Sequence, residues 1–236
     1  MAPFGASRAG LMSVAADDIP DTAEFYWLAE SFSDPWLDAV IEREMSVSGL
    51  TASTTNDTEI VSGDGTDGGL ADISDFGSAW DGQAAIEFAI STTDNDAAVC
   101  GYRVDEGERL AISVGSTSIT NANSDGVIGV GLGDANGNLV FFEGSTEIND
   151  GSLHSVVLNK TGNSFNNGDF EILVDNEPES LSLTTSEDDD LTNIPNELAA
   201  DLGFWSENRD GFQNQINADI VGFGFHSAAL SEATLL

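Results

Sequence analysis

The chain has 236 residues, with 42 acidic side chains against six basic ones, a formal net charge of -36 at pH 7 and a single cysteine. A chain of this length buries roughly 70% of its unfolded surface, enough for one large domain that needs no disulfide. The charge excludes nucleic-acid binding, since no basic patch can be assembled from six scattered cations, and no apolar run approaches the roughly 18 residues of a membrane-spanning helix.

Residues 1 to 22 read as an extended arm of small residues. Phe4, Arg8, Leu11 and Met12 are the side chains expected to dock it against a neighbouring subunit. The arm makes a poor signal peptide, because its apolar stretch from Ala9 to Ala16 is short and broken by Gly10 and Ser13. From Ala23 the run AEFYWLAESF starts a core with Phe25, Trp27 and Leu28. Ser33-Asp34-Pro35 then offers a helix N-cap followed by proline at the first helical position, with Leu37, Val40 and Ile41 on one side, so a short helix is expected there.

Residues 50 to 82 are rich in Thr, Ser, Gly and Asp. Short strands such as Glu59-Ile60-Val61 lie between turns at Gly63-Asp64-Gly65 and Asp67-Gly68-Gly69. Ile86, Phe88 and Ile90 share one face of the next strand, with Glu87 on the other. Further strands are predicted at Val99 to Val104, Leu110 to Val114, Val127 to Leu132 and Leu139 to Phe142. The last two are joined through an Asn136-Gly137 turn. Cys100, inside the apolar run 97–100, reads as a small core residue.

Two alternating patterns follow, His154, Val156, Leu158 and then Phe170, Ile172, Val174, separated by a polar loop: an antiparallel hairpin. A second turn is expected at Asp175-Asn176-Glu177-Pro178, where proline ends the pairing by removing a donor. The acidic loop Ser186 to Asp190 leads to Leu202-Gly203-Phe204-Trp205, and Phe223 and Phe225 take the apolar positions of a closing strand before Ala229-Leu230-Ser231.

These segments together resemble the laminin-G-like, concanavalin A-like jelly-roll family. Asp150-Gly151-Ser152-Leu153-His154-Ser155-Val156 and Leu173-Val174-Asp175-Asn176 are similar to its "D-G-x-W-H-x-V" and "L-x-V-D-G" segments. Leucine stands for the usual tryptophan and asparagine for the second glycine, an apolar anchor and a residue tolerant of positive φ. The opening AEFYWLAE, the strand around Ile86 and the closing Ala229-Leu230-Ser231 resemble further family segments in the right order. The resemblance covers residues 23 to 236 and implies an all-β, antiparallel two-sheet sandwich behind an extended N-terminal arm. It implies no activity, because fold and function are separable.

The chemistry-bearing side chains are sparse. A glycoside hydrolase needs two carboxylates facing one cleft. The nearest set is Asp169, Glu171 and Asp175, but Leu173 interrupts that face and the acids read as a solvated surface. His154 and His226 sit in strand patterns and read as half-buried packing residues. No cofactor and no catalytic residue is expected. A structural calcium or magnesium ion is the alternative, at Asp134-Ala135-Asn136-Gly137-Asn138 or at Asp64 with Asp67, where the same residues also read as turns. Trp205, flanked by Ser206, Glu207 and Asn208, is the aromatic expected on a carbohydrate-binding rim. Two sequons, Asn56-Asp57-Thr58 and Asn159-Lys160-Thr161, would accept glycans on a secreted chain.

Acidic residues spread along the whole chain suit near-saturated brine, where the Debye length falls to about 3 Å and self-repulsion is screened. The arm, which resembles the openings of tailed-virus structural proteins, adds an expectation of a virion. The function expected is a non-enzymatic surface protein of a haloarchaeal tailed virus: a capsid decoration, turret or tail component. It would be homo-oligomeric, docked to other virion proteins by its arm, and would have host cell-surface glycans as ligands, without membrane insertion. A secreted or cell-surface adhesion domain of a haloarchaeon and a glycoside hydrolase or lyase of the same fold are the alternatives.

Overall fold

The computed structural model describes residues 19–73, 76, 82–103, 109–115, 120, 122–134, 137–162, 167–188, 201–209 and 211–235. The strands begin with β1 (Ala23–Leu28), β2 (Trp36–Leu37), β3 (Glu44–Ser48), β4 (Thr51–Thr55), β5 (Thr58–Asp64) and β6 (Gly68–Asp72). The central set is β7 (Ala84–Thr92), β8 (Asp96–Arg103), β9 (Arg109–Gly115), β10 (Val127–Gly133), β11 (Leu139–Glu147) and β12 (Leu153–Lys160). Then come β13 (Phe170–Val174), β14 (Glu177–Pro178), β15 (Ser182–Asp188), β16 (Asp201–Phe204), β17 (Ser206–Asn208), β18 (Phe212–Gln213) and β19 (Asn217–His226).

They form two sheets. One runs β14-β13-β12-β7-β19-β5-β4, with β1 also paired to β19, and the other β15-β11-β10-β9-β8-β16-β6-β3-β2. Nearly every pairing is antiparallel; β17 beside β8 is parallel. The expected all-β sandwich is the fold found.

The cause lies in the period-two alternation of the strands. Ile86, Phe88 and Ile90 of β7 and Phe223 and Phe225 of β19 face the second sheet, where they meet Ile112, Val130 and Phe204 in one core. Aromatic rings stack through its centre. Phe204 lies 4.8 Å from Phe223 and 5.5 Å from Trp27, edge to face.

The predicted hairpin is present, with Val156 opposite Val174 and Leu158 opposite Ile172. Its following turn places Asp175 at φ 52° and Asn176 at φ 67° between the paired Val174 and Glu177, the left-handed conformation a two-residue hairpin loop demands. Proline does not stop the pairing at once, because Pro178 still lies opposite Leu173 on this edge strand.

The helix expected after Pro35 is not formed. Trp36–Leu37 is a short strand on the edge of the second sheet, and the Asp34–Pro35 peptide is cis. Asp38 explains the turn that follows: its carboxylate accepts the backbone N–H groups of Val40, Ile41 and Arg43. A carboxylate that takes these amides offers the backbone an alternative to helical hydrogen bonding.

Cys100 is fully buried, and burial pushes its thiol up to about 12. Only the thiolate is nucleophilic, so the folded protein should not react with iodoacetamide at pH 8 and the unfolded protein should. Mass spectrometry of both samples checks this; labelling of folded protein at the unfolded rate would contradict it.

Candidate functional site

The outer face of the eight-stranded sheet is divided into two halves of different chemistry. Over one half runs the segment 227–235, held by side chains that rise from the sheet. Asn159 receives the Leu230 amide on Oδ1 and donates Nδ2 to the Leu230 carbonyl, both at 2.8 Å. Asn176 Oδ1 accepts from Ala233 N at 2.6 Å, and Glu87 Oε2 accepts from Thr234 N at 2.8 Å.

Glu87 Oε1 also accepts from the Thr234 hydroxyl and from His226 Nε2, the latter at 2.8 Å, with both side chains of that hydrogen-bonded pair fully buried. Because a carboxylate only accepts, this bond assigns the proton to Nε2. Gly224 makes room for it, since a Cβ there would lie 2.6 Å from that nitrogen. Between these bonds the segment packs on apolar side chains: Ala85, Val157 and Leu173 meet Leu230 and Ala233, and Tyr26 and Ala89 meet Leu235.

The other half is open and its lining changes to hydroxyls. A single row of side chains crosses five strands: Thr51, Ser62, Asp219, Ser91 and Leu153 stand opposite one another in register. Thr55, Thr58, Ile60, Ser91, Leu153 and Asp219 line a groove of about 260 Å³. It continues past Ser91 towards Thr92 and Asn217. Beyond Thr58 it adjoins a second depression edged by Glu30, Asp57 and Glu59.

The polar groups of the groove are already ordered. Ser62 Oγ donates to Asp219 Oδ1 at 2.6 Å, and Ser91 Oγ donates to the Gly151 carbonyl at 2.9 Å. Sequence reasoning missed this site. Its signal was the strand TASTT of β4, exposed along its whole length and with Thr and Ser at four of its five positions, where a core-forming strand would alternate with apolar residues.

Trp205 is a correction. It is fully buried rather than on a rim, with its Nε1 donating to the Ala218 carbonyl at 3.2 Å and its ring 5.4 Å from Phe223. A backbone φ of 56° turns the side chain inward from a segment whose neighbours look polar. Phe4, Arg8, Leu11 and Met12 lie outside the described residues.

Two of the three acids weighed as a catalytic set are engaged elsewhere: Asp175 accepts from Ser155 N and pairs with His154, and Glu171 accepts from Asn159. Asp64 accepts from Thr66, Asp67 from the Asp64 amide, and Asp134 from the Asn138 amide and side chain. Among the described residues no cluster of three or more His, Cys, Asp or Glu side chains could hold a metal ion. Asn159 is buried and bonded, so it accepts no glycan in the folded chain, whereas Asn56 is exposed at the tip of the β4–β5 hairpin.

His226 is fully rather than half buried. For His154, burial favours the neutral ring, but hydrogen bonds and charges from Asp175 and Asp150 outweigh it and hold the imidazole above 6.5. A raised folded-state value contributes stability that is complete below the unfolded value and is lost as pH rises through the folded one. The stability gap between the protein and its His154→Gln variant should therefore narrow as pH rises from about 6.5 upward. Urea unfolding across that range checks it; a gap that widens would contradict it.

No family model matches the chain, and no curated protein matches it in sequence. Solved structures do. Domain 4 of AbnA, an extracellular GH43 arabinanase from Geobacillus stearothermophilus solved with arabinotriose, aligns with TM-score 0.61 and 8% identity over 91% of this chain and 96% of that one. The receptor-binding domain of botulinum neurotoxin C/D mosaic serotype aligns with TM-score 0.59 and 12% identity over 90% of this chain. A botulinum neurotoxin DC binding domain in complex with rat synaptotagmin II gives 0.59, 12% and 89%. The chain spans 49% of the length of each of these two toxin domains. What the likeness shows is the fold: an antiparallel two-sheet jelly-roll sandwich shared with these domains.

Proposed function

We propose that the chain is a non-enzymatic recognition module that binds glycans along the open half of its eight-stranded sheet. The observation that carries this reading is the contrast within one sheet face: where residues 227–235 cover it, apolar side chains and the bonded Asn159, Glu87 and His226 are sealed beneath the segment, and where it is open it is lined by Thr, Ser and Asp. Ordered hydroxyls and a carboxylate around apolar side chains are what a sugar, polar at its rim and apolar on its C–H face, requires. The arabinotriose held by AbnA domain 4 and the receptor held by the toxin domain support the same class of role.

In its finer form the module decorates the outside of a haloarchaeal tailed virus as a head, turret or tail component. The charge of -36 favours brine, and the arm of residues 1–22 would dock it to a symmetric platform. Mass spectrometry of purified virions from an infected halophile tests this form, with stoichiometric recovery of the chain expected and its absence overturning it. Exposed Asn56, in a sequon and itself part of the groove lining, favours an adhesion domain on a cell surface as the second reading. An occupied Asn56 found by glycopeptide analysis would select it.

A further inference from the structure

We infer that the groove takes a neutral sugar residue and excludes anionic ones, an assignment that rests on the glycan-recognition reading above. The lining combines three kinds of group. Thr55, Thr58 and Ser91 supply hydroxyls that both donate and accept. Asp219 supplies a carboxylate whose Oδ1 is held by Ser62, which fixes its position for further hydrogen bonds. Ile60, only 5% exposed, and half-buried Leu153 provide apolar surface between them. A sugar ring presents the complementary pattern of hydroxyls at its edge and C–H groups on its face. Hydrogen bonds from those hydroxyls to an ionised acceptor are stronger than neutral ones.

Size and charge narrow the class further. At about 260 Å³ the groove lies just below the roughly 300–1,000 Å³ of drug-sized pockets, so it admits a single ring or a chain end rather than engulfing a polymer. None of the lining residues is cationic, and the adjoining depression adds Glu30, Asp57 and Glu59. A sialic acid, uronate or sulfated sugar would bring its anion close to Asp219 with no partner to neutralise it. Salt screens the long-range part of this repulsion, but the short-range cost of bringing two carboxylates together remains.

The test is a printed array of neutral oligosaccharides beside sialylated, uronate-bearing and sulfated ones, probed with the full chain in about 3 M KCl. Two variants accompany it: Asp219→Ala, which removes the ordered carboxylate, and Thr58→Trp, which fills the groove from a half-exposed position. Thermal unfolding confirms that each is folded. Binding confined to neutral glycans, reduced about tenfold or more in both variants, is the expected result. Preference for anionic glycans, or neutral binding that both folded variants retain, overturns this assignment while leaving glycan recognition standing. Absence of binding to any glycan overturns the recognition reading and this assignment with it.

Discussion

Replacing Glu87 with alanine should lower the stability of the protein by about 3–5 kcal/mol, because the donors it satisfies lose their acceptor at about 1–3 kcal/mol each. Glu87 sits in the middle of β7, between β12 and β19, opposite Val157 and Gly224. Its two oxygens take hydrogen bonds from His226 Nε2, Thr234 N and the Thr234 hydroxyl. Alanine leaves His226 without that acceptor at a position with no solvent exposure. It also frees the end of the segment 227–235 from the sheet. In a chain of this size each kcal/mol moves the unfolding midpoint by about 2–4 °C, so a fall of roughly 6–20 °C is expected. Glu87→Gln, which keeps an acceptor and the side-chain shape, should lose less. Denaturant unfolding at fixed salt reads both variants, and early proteolysis within 227–235 reports the released segment. A loss below about 1 kcal/mol, the scale of a surface ion pair, would show that Glu87 does not hold that segment.

The unfolding midpoint should rise steeply with salt, by roughly 10 °C or more between about 0.1 M and 3 M KCl. The formal charge of -36 makes the compact state repel itself, since six cations cannot neutralise 42 acids wherever they lie. Lys160, the only lysine, is fully buried with its ammonium donating to the Gly82 and Gly162 carbonyls at 2.9 and 2.6 Å. Arg109 is 6% exposed and lies over the Phe141 ring. Arg43 spans Asp72 and Phe25. Screening acts on the exposed acids that remain, as the Debye length falls from about 10 Å towards less than 3 Å. Differential scanning calorimetry along a KCl series reads the effect, and a midpoint that is flat or falls with salt would remove the case for brine.

Much of the sandwich could be read locally. The alternation at 153–174, the Asp175-Asn176 turn and the Ile86-Phe88-Ile90 face each depend on neighbouring residues alone, and each is present as expected. The failures came where distant or inward contacts decide. Pro35 and its preceding cap suggested a helix, but the Asp38 carboxylate takes the amides that such a helix would use. Trp205 looked exposed because Ser206 and Glu207 follow it, yet both of these polar residues are themselves fully buried on β17. The groove was the least legible of all. Its extent depends on which half of the sheet 227–235 covers, and that is set by bonds such as Glu87 to Thr234, 147 residues apart. Nothing in a local pattern reports a contact at that separation.

Recognition without turnover is tested most directly by calorimetric titration of a neutral oligosaccharide into the protein in about 3 M KCl, followed by mass analysis of the recovered sugar. Saturable heat with every glycosidic bond intact after prolonged incubation is the predicted result. Shortened or eliminated products that accumulate in proportion to protein would contradict it.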